Sequence, residues 1–229
     1  MPADFLYALL PDHLLLALLF LLMLLEMLRF DARVVGPLVW LVLGVGCAVL
    51  LVQHRSGFAV DVTPNEIRID GFSVLAKLVI LGCGLLSSVL VRPPPTFKSA
   101  FLSCASLLGA CVVMDSAGFA SLFIGIEMLS LPAFALMVHG AGRTAASEGA
   151  FKYLLLSSVA TALLLFGIAI AYGATGSLEI ERFAAAVGAG APYATTAGML
   201  FNFEAVSIDR SWSGSEGRAV SEMIWNVQP

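Results

Sequence analysis

Six long apolar runs, separated by short stretches rich in Pro, Gly and charge, limit what this chain can fold into more than any other feature. They lie at Leu14 to Leu28, Val34 to Val52, Gly71 to Val91, Ala100 to Met114, Phe119 to His139 and Phe151 to Tyr172. About 20 predominantly apolar residues cross the hydrocarbon core of a bilayer as one helix. Leu9 and Leu10 extend the short first run across Pro11, which a helix tolerates near its start. With 59% hydrophobic and only 12% charged residues and a mean hydropathy of +0.95, the chain cannot cover a soluble core with polar side chains. The expected fold is all-α: a polytopic transmembrane bundle of about six spans within residues 1–200, followed by a polar tail over residues 201–229. No length remains for a soluble catalytic domain.

Charge and cysteine content narrow the function further. The net charge is −4 and no block of Lys and Arg occurs, so nucleic acid is not an expected partner. Cys47, Cys83, Cys104 and Cys111 all sit inside apolar runs, and the seven-residue spacing of the last two fits neither a redox pair nor a zinc site. They read as small hydrophobic residues. His13, His54 and His139 stand at run ends or in a loop without metal-ligand spacing, so no metal or cofactor site is expected. The N-terminus carries Asp4 where a cleavable signal would be basic, and the first run is expected to stay as a helix.

Loop cations suggest an orientation. With the N-terminus outside, Arg29, Arg33, Arg92, Lys98 and Arg143 fall inside and Arg55, Arg68 and Arg182 outside. Cytoplasmic loops collect Lys and Arg, which favours this arrangement by five to three. After Tyr172, Ser177 to Val187 reads as a short interfacial helix, and the tail beyond Phe201 is too polar to span.

Four ionisable residues fall within or at the edge of spans: Glu26, Lys77, Glu127 and Lys152. Each costs roughly 2.5–3.5 kcal/mol at a helix centre on insertion scales, so one that persists has a partner or a task. Glu127 lies eight residues from one end of its run and twelve from the other, about 12 Å or more from either face. A short carboxylate cannot reach water over that distance. Two readings are open: a carboxyl that loads and releases protons because burial and a nearby cation compete over its charge, or a neutral, hydrogen-bonded Glu that ties helices together. Pro132, five residues on, frees a carbonyl in the same helix. Lys152 and Lys77 each have stems long enough to carry the ammonium to the surface, and Glu26 is close enough to Arg29 for an interfacial pair.

Three motifs in order carry a resemblance. The run Gly125-Ile-Glu-Met-Leu-Ser-Leu-Pro-Ala-Phe-Ala-Leu136 is followed by Glu148-Gly-Ala-Phe-Lys-Tyr-Leu-Leu-Leu156 and Tyr172-Gly-Ala-Thr-Gly-Ser-Leu178. This series closely resembles the subunit N family of the bacterial proton-pumping NADH:quinone oxidoreductase, respiratory complex I, over roughly residues 8–187. The resemblance implies an antiporter-like subunit of about fourteen helices, built around inverted repeats, in a bacterial inner membrane, where the count of loop cations puts the N-terminus on the periplasmic side. It implies a proton relay through Glu127, matching the family's fifth-helix glutamate, and Lys152, matching its sixth-helix lysine. It also implies other complex I membrane subunits as partners, with NADH, FMN, iron–sulfur clusters and quinone handled by other subunits and no cofactor on this chain.

The sequence departs from the family at two places. Phe134 stands where a tyrosine is common. Ala197-Gly-Met-Leu-Phe-Asn-Phe-Glu-Ala-Val206 resembles the start of the family's broken seventh helix but has Asn202 in place of its lysine, and Ser207, Ile208 and Asp209 replace the motif that follows. A truncated or frameshifted copy is the simplest expectation. The sister class of multisubunit cation/proton antiporters and a noncatalytic structural remnant are the alternatives.

Overall fold

The computed structural model describes residues 6–57, 59–63, 65–91, 95–140 and 145–189. Six helices long and apolar enough to cross a membrane run through them. They are α1 (Leu10–Met27), α2 (Val35–Arg55), α3 (Gly71–Leu90), α4 (Phe97–Asp115), α5 (Phe119–Gly140) and α6 (Ala145–Thr175), followed by the short α7 (Ile180–Gly188). This is the bundle the apolar runs lead one to expect. The polar tail of residues 201–229, together with Asn202 and Arg143, lies outside the described residues.

Local sequence explains most helix ends. Pro11 occupies the first turn of α1, where its missing N–H costs no hydrogen bond. Asp70 and Ser73 form a reciprocal capping box at the start of α3, and Thr96 and Ser99 form another at the start of α4. α6 begins six residues before its apolar run, because Ala145, Ala146 and Ala150 favour helix without adding to the apolar stripe.

Helices α1 to α4 close into a ring around one core, with α1 packed on α2 and α4, and α3 on α2 and α4. Leu15, Leu18, Leu22, Val39, Leu43 and Leu81 fill it. α5 lies along α4 and α6 along α5. The α4–α5 approach is close because small residues face it: a Cβ added to Gly109 would stand 2.5 Å from the Leu129 nitrogen. Small residues at this spacing are how membrane helices gain packing contacts when lipid is as apolar as their side chains. Outward faces remain apolar and exposed, as at Phe20, Phe72, Leu156 and Phe166, which suits lipid as the solvent.

The connections at one end of the bundle are tied together. An antiparallel hairpin of β1 (Val60–Thr63) and β2 (Ile67–Ile69) joins α2 to α3, with Val60 opposite Ile69 and Asn65 in the left-handed region at φ 70°. Glu66 and the turn before α5 bond directly: the Ala117 amide donates to the Glu66 carbonyl at 2.8 Å, and the Ser121 amide donates to its carboxylate at 3.3 Å. The Phe119 amide donates to the Leu178 carbonyl at 2.9 Å, and the rings of Phe119 and Phe183 meet edge to face. The interfacial helix expected over Ser177 to Val187 is therefore α7, held to the same belt. At the opposite end, Met23, Glu26, Lys98, Phe101 and His139 line an open groove between α1, α4 and α5.

Candidate functional site

Glu127 sits two turns into α5, half-buried and facing α6. The Thr161 hydroxyl of α6 donates a 2.8 Å hydrogen bond to its Oε1. Between the two helices lies a pocket of about 200 Å³ lined by Glu127, Ser130, Phe134, Tyr153, Ser157, Ser158 and Thr161. Tyr153, Ser157 and Thr161 recur every fourth residue, so one stripe of an otherwise apolar α6 is hydroxylated. Such a stripe is readable in sequence as i, i+4 spacing, and it marks the α6 wall of the site, which the three motifs alone do not. A pocket of this size with several polar walls has room for several water molecules. Opposite Glu127, the Ser106 hydroxyl of α4 donates to the Leu129 carbonyl at 3.1 Å, a contact near Pro132 that ties the two backbones together.

Lys152 is on the same helix as Thr161 but not at the pocket. Nine residues separate them, about 14 Å along the axis and half a turn around it. Lys152 is exposed on the far face of α6 and is not brought against Glu127. The expected relay pair is therefore split by the width of one helix.

A second charged cluster lies at the belted end of the bundle. Lys77 is 1% exposed and pairs with Asp12 of α1 at 2.6 Å and with Asp115, the last residue of α4. Its stem does not carry it to water as expected, because both carboxylates come to it. Asp12 and Asp115 stand at helix ends that converge on α3. Sixty-five residues separate Asp12 from Lys77, so no local spacing announces the cluster. Glu26, expected to pair with Arg29, instead lines the groove at the opposite end, and no ion pair joins the two among the described residues. Cys104 is buried among apolar neighbours, as a small hydrophobic residue would be, and Cys111 is buried in the same core where it borders the triad. No group of three or more His, Cys, Asp and Glu is placed to hold a metal ion among the described residues.

The helix bundle that holds this carboxyl and its hydroxylated pocket has the antiporter-like fold of known membrane subunits. Residues 116–208 match the family model described as NADH:quinone oxidoreductase/Mrp antiporter, transmembrane. A chain of respiratory complex I from Thermus thermophilus with bound aureothin superposes with a TM-score of 0.72 at 29% identity, covering 84% of this chain and 42% of that one. The Mrp complex of a Dietzia species shares the fold, with a TM-score of 0.74 at 19% identity.

Within that class, the resemblance carried by the three motifs holds: the chain is similar to NADH-quinone oxidoreductase subunit N. The subunit N of Pelobacter propionicus is 51% identical over 191 residues, covering 83% of this chain and 41% of its own length. That of Neisseria gonorrhoeae is 40% identical over 116 residues, covering 48% of this chain and 24% of its own. The chain thus spans less than half the length of these relatives.

Proposed function

We propose that this chain forms the N-terminal part of a proton-translocating membrane subunit of an NADH:quinone oxidoreductase, of the subunit N type, in a bacterial inner membrane. The observation that carries the proposal is Glu127: a carboxyl about 12 Å from one end of its helix and about 20 Å from the other, bonded to Thr161 and opening on a hydroxyl-lined pocket. Oε1 accepts from Thr161, leaving Oε2 as the atom that takes the proton from water in the pocket. Ser157 and Tyr153 offer hydroxyls that both donate and accept, while Ser130, whose hydroxyl donates to the Ile126 carbonyl, can accept, so together they can orient such water in either charge state. The proton moves on past Tyr153 to Lys152, around rather than across α6.

The redox steps belong to other subunits in this reading. NADH, FMN, iron–sulfur clusters and quinone are handled elsewhere in the complex, and this chain responds to them through its neighbours in the membrane. The N-terminus and the belted end face the periplasm, in line with the count of loop cations.

Asn202 sits where the family resemblance calls for a lysine. A neutral amide cannot alternate charge with Glu127, so a complex with this chain as its only subunit N copy should couple poorly. Expressed with a tag in a strain lacking its own copy, the chain should co-purify with complex I membrane subunits. Inverted vesicles energised with NADH should give less dye quenching than an intact complex, and Arg143→Cys should be modified from the cytoplasmic side alone. Purification without complex I partners, or with Mrp subunits in their place, would refute the assignment. Normal quenching would refute the role given to Asn202.

A further inference from the structure

The cluster of Asp12, Lys77 and Asp115 does not balance its charge. With both carboxylates ionised, one ammonium leaves a net −1 in a setting where Lys77 is 1% and Asp115 4% exposed. The ammonium bonds one oxygen of each aspartate, Oδ2 in both cases. The other oxygen of each, Oδ1, is buried and has no hydrogen-bond partner among the described residues. Two acceptors without donors beside an uncompensated charge constitute a costly arrangement in a low-dielectric interior. A single proton relieves the excess charge and turns one bare Oδ1 into a donor.

We propose that this triad is a second proton-binding site, holding one exchangeable proton shared between Asp12 and Asp115 across Lys77. Uptake adds H⁺ from water to a carboxylate Oδ1 and takes the triad from −1 to neutral; release returns the proton to water. Asp12, whose side chain is 13% exposed, is the member nearest the surface and forms the route to solvent. No electron or group transfer is involved.

The surroundings leave the aspartates as the exchanging groups. From α1 the triad receives Asp12, from α3 Lys77 and the Ser73 hydroxyl, and from α4 Asp115 and the buried Cys111 thiol. α2, packed on α1 and α3, ends in the exposed His54 and Arg55, while its buried Gln53 donates to the Tyr7 carbonyl at 2.6 Å. From β2, packed on α4, Arg68 pairs with Glu181. Because α1, α3 and α4 each contribute one member of the triad, its charge state is read by three helices of the ring at once. The site stands apart from Glu127 and does not depend on the function proposed for it.

Nuclear magnetic resonance of the full chain in lipid nanodiscs, with ¹³C at the aspartate carboxyl carbon only, tests this without interference from Glu127. Asp115→Asn and Asp12→Asn assign the two resonances, and either suffices if the other variant does not fold. Solvent-exposed aspartates have titration midpoints near pH 4 and are roughly nine-tenths ionised by pH 5, so over roughly pH 5–9 their signals hardly move. The triad signals should move together through one full acid-to-carboxylate shift in that range, with a midpoint displaced by Lys77→Gln. Two resonances that stay fixed throughout would show a permanent ionic tie and overturn the proposal. Two independent titrations would also overturn it, because a shared proton couples both aspartates.

Discussion

Thr161 is the side chain that distinguishes Glu127 from a carboxyl stranded in lipid. Its hydroxyl donates to Oε1 at 2.8 Å, from the same polar stripe of α6 that carries Ser157 and Tyr153. Inter-helical hydrogen bonds in membranes average about 0.6 kcal/mol and reach roughly 1.7, because an unfolded chain in lipid also finds partners. Thr161→Val keeps the shape and removes the donor. It is expected to lower the unfolding free energy of the chain in detergent by about 1 kcal/mol, and the same substitution in a Glu127→Gln background should cost clearly less. Equal losses in both backgrounds would mean that the bond does not hold α5 to α6. The Lys77 triad makes the contrasting case: its ion pairs are buried, so removing one partner strands charge rather than losing a single bond.

Between helices, the closest constraint is the α4–α5 interface. A Cβ on Gly109 would meet the Leu129 nitrogen at 2.5 Å and the Met128 carbonyl carbon at 2.6 Å, both backbone atoms that cannot swing away. Gly82 has nothing within 4 Å of the same position. Gly109→Ala should therefore cost roughly 1–3 kcal/mol, as overpacking does, whereas Gly82→Ala should be neutral or slightly stabilising through helix propensity. Thermal unfolding of the two variants side by side checks this, and indistinguishable midpoints would contradict the close approach. The helices were legible because their apolar runs match the bilayer thickness, and Glu127 because charge at that depth is rare. Tyr153, Ser157 and Thr161 were legible in principle, being four residues apart. The Lys77 triad was not, since its members come from three helices and meet only when the ring closes. The β1–β2 hairpin escaped for a related reason: Val60–Thr63 and Ile67–Ile69 are too short to show strand periodicity, and pairing across the Asn65 turn defines them.

At the scale of the molecule, a four-helix ring carries α5 and α6 along one side, and the two charged sites lie at different depths. The triad is at the belted end, where the hairpin, the α4–α5 turn and α7 are bonded together. Glu127 is two turns into α5 from that end, and Lys152 is on the outward face of α6, away from the ring. In the relay proposed above, the proton-holding step belongs to the α5–α6 pocket, and the onward step leads to the outward face of α6. The measurement that bears most directly on this account is the pH-dependent infrared difference spectrum of the chain in lipid nanodiscs, taken for the wild type and for Glu127→Gln. The account predicts a carboxylic acid C=O band that titrates in the wild type, is missing from Glu127→Gln and shifts in frequency in Thr161→Val. Superimposable difference spectra for the wild type and Glu127→Gln would show that Glu127 exchanges no proton, and would contradict it.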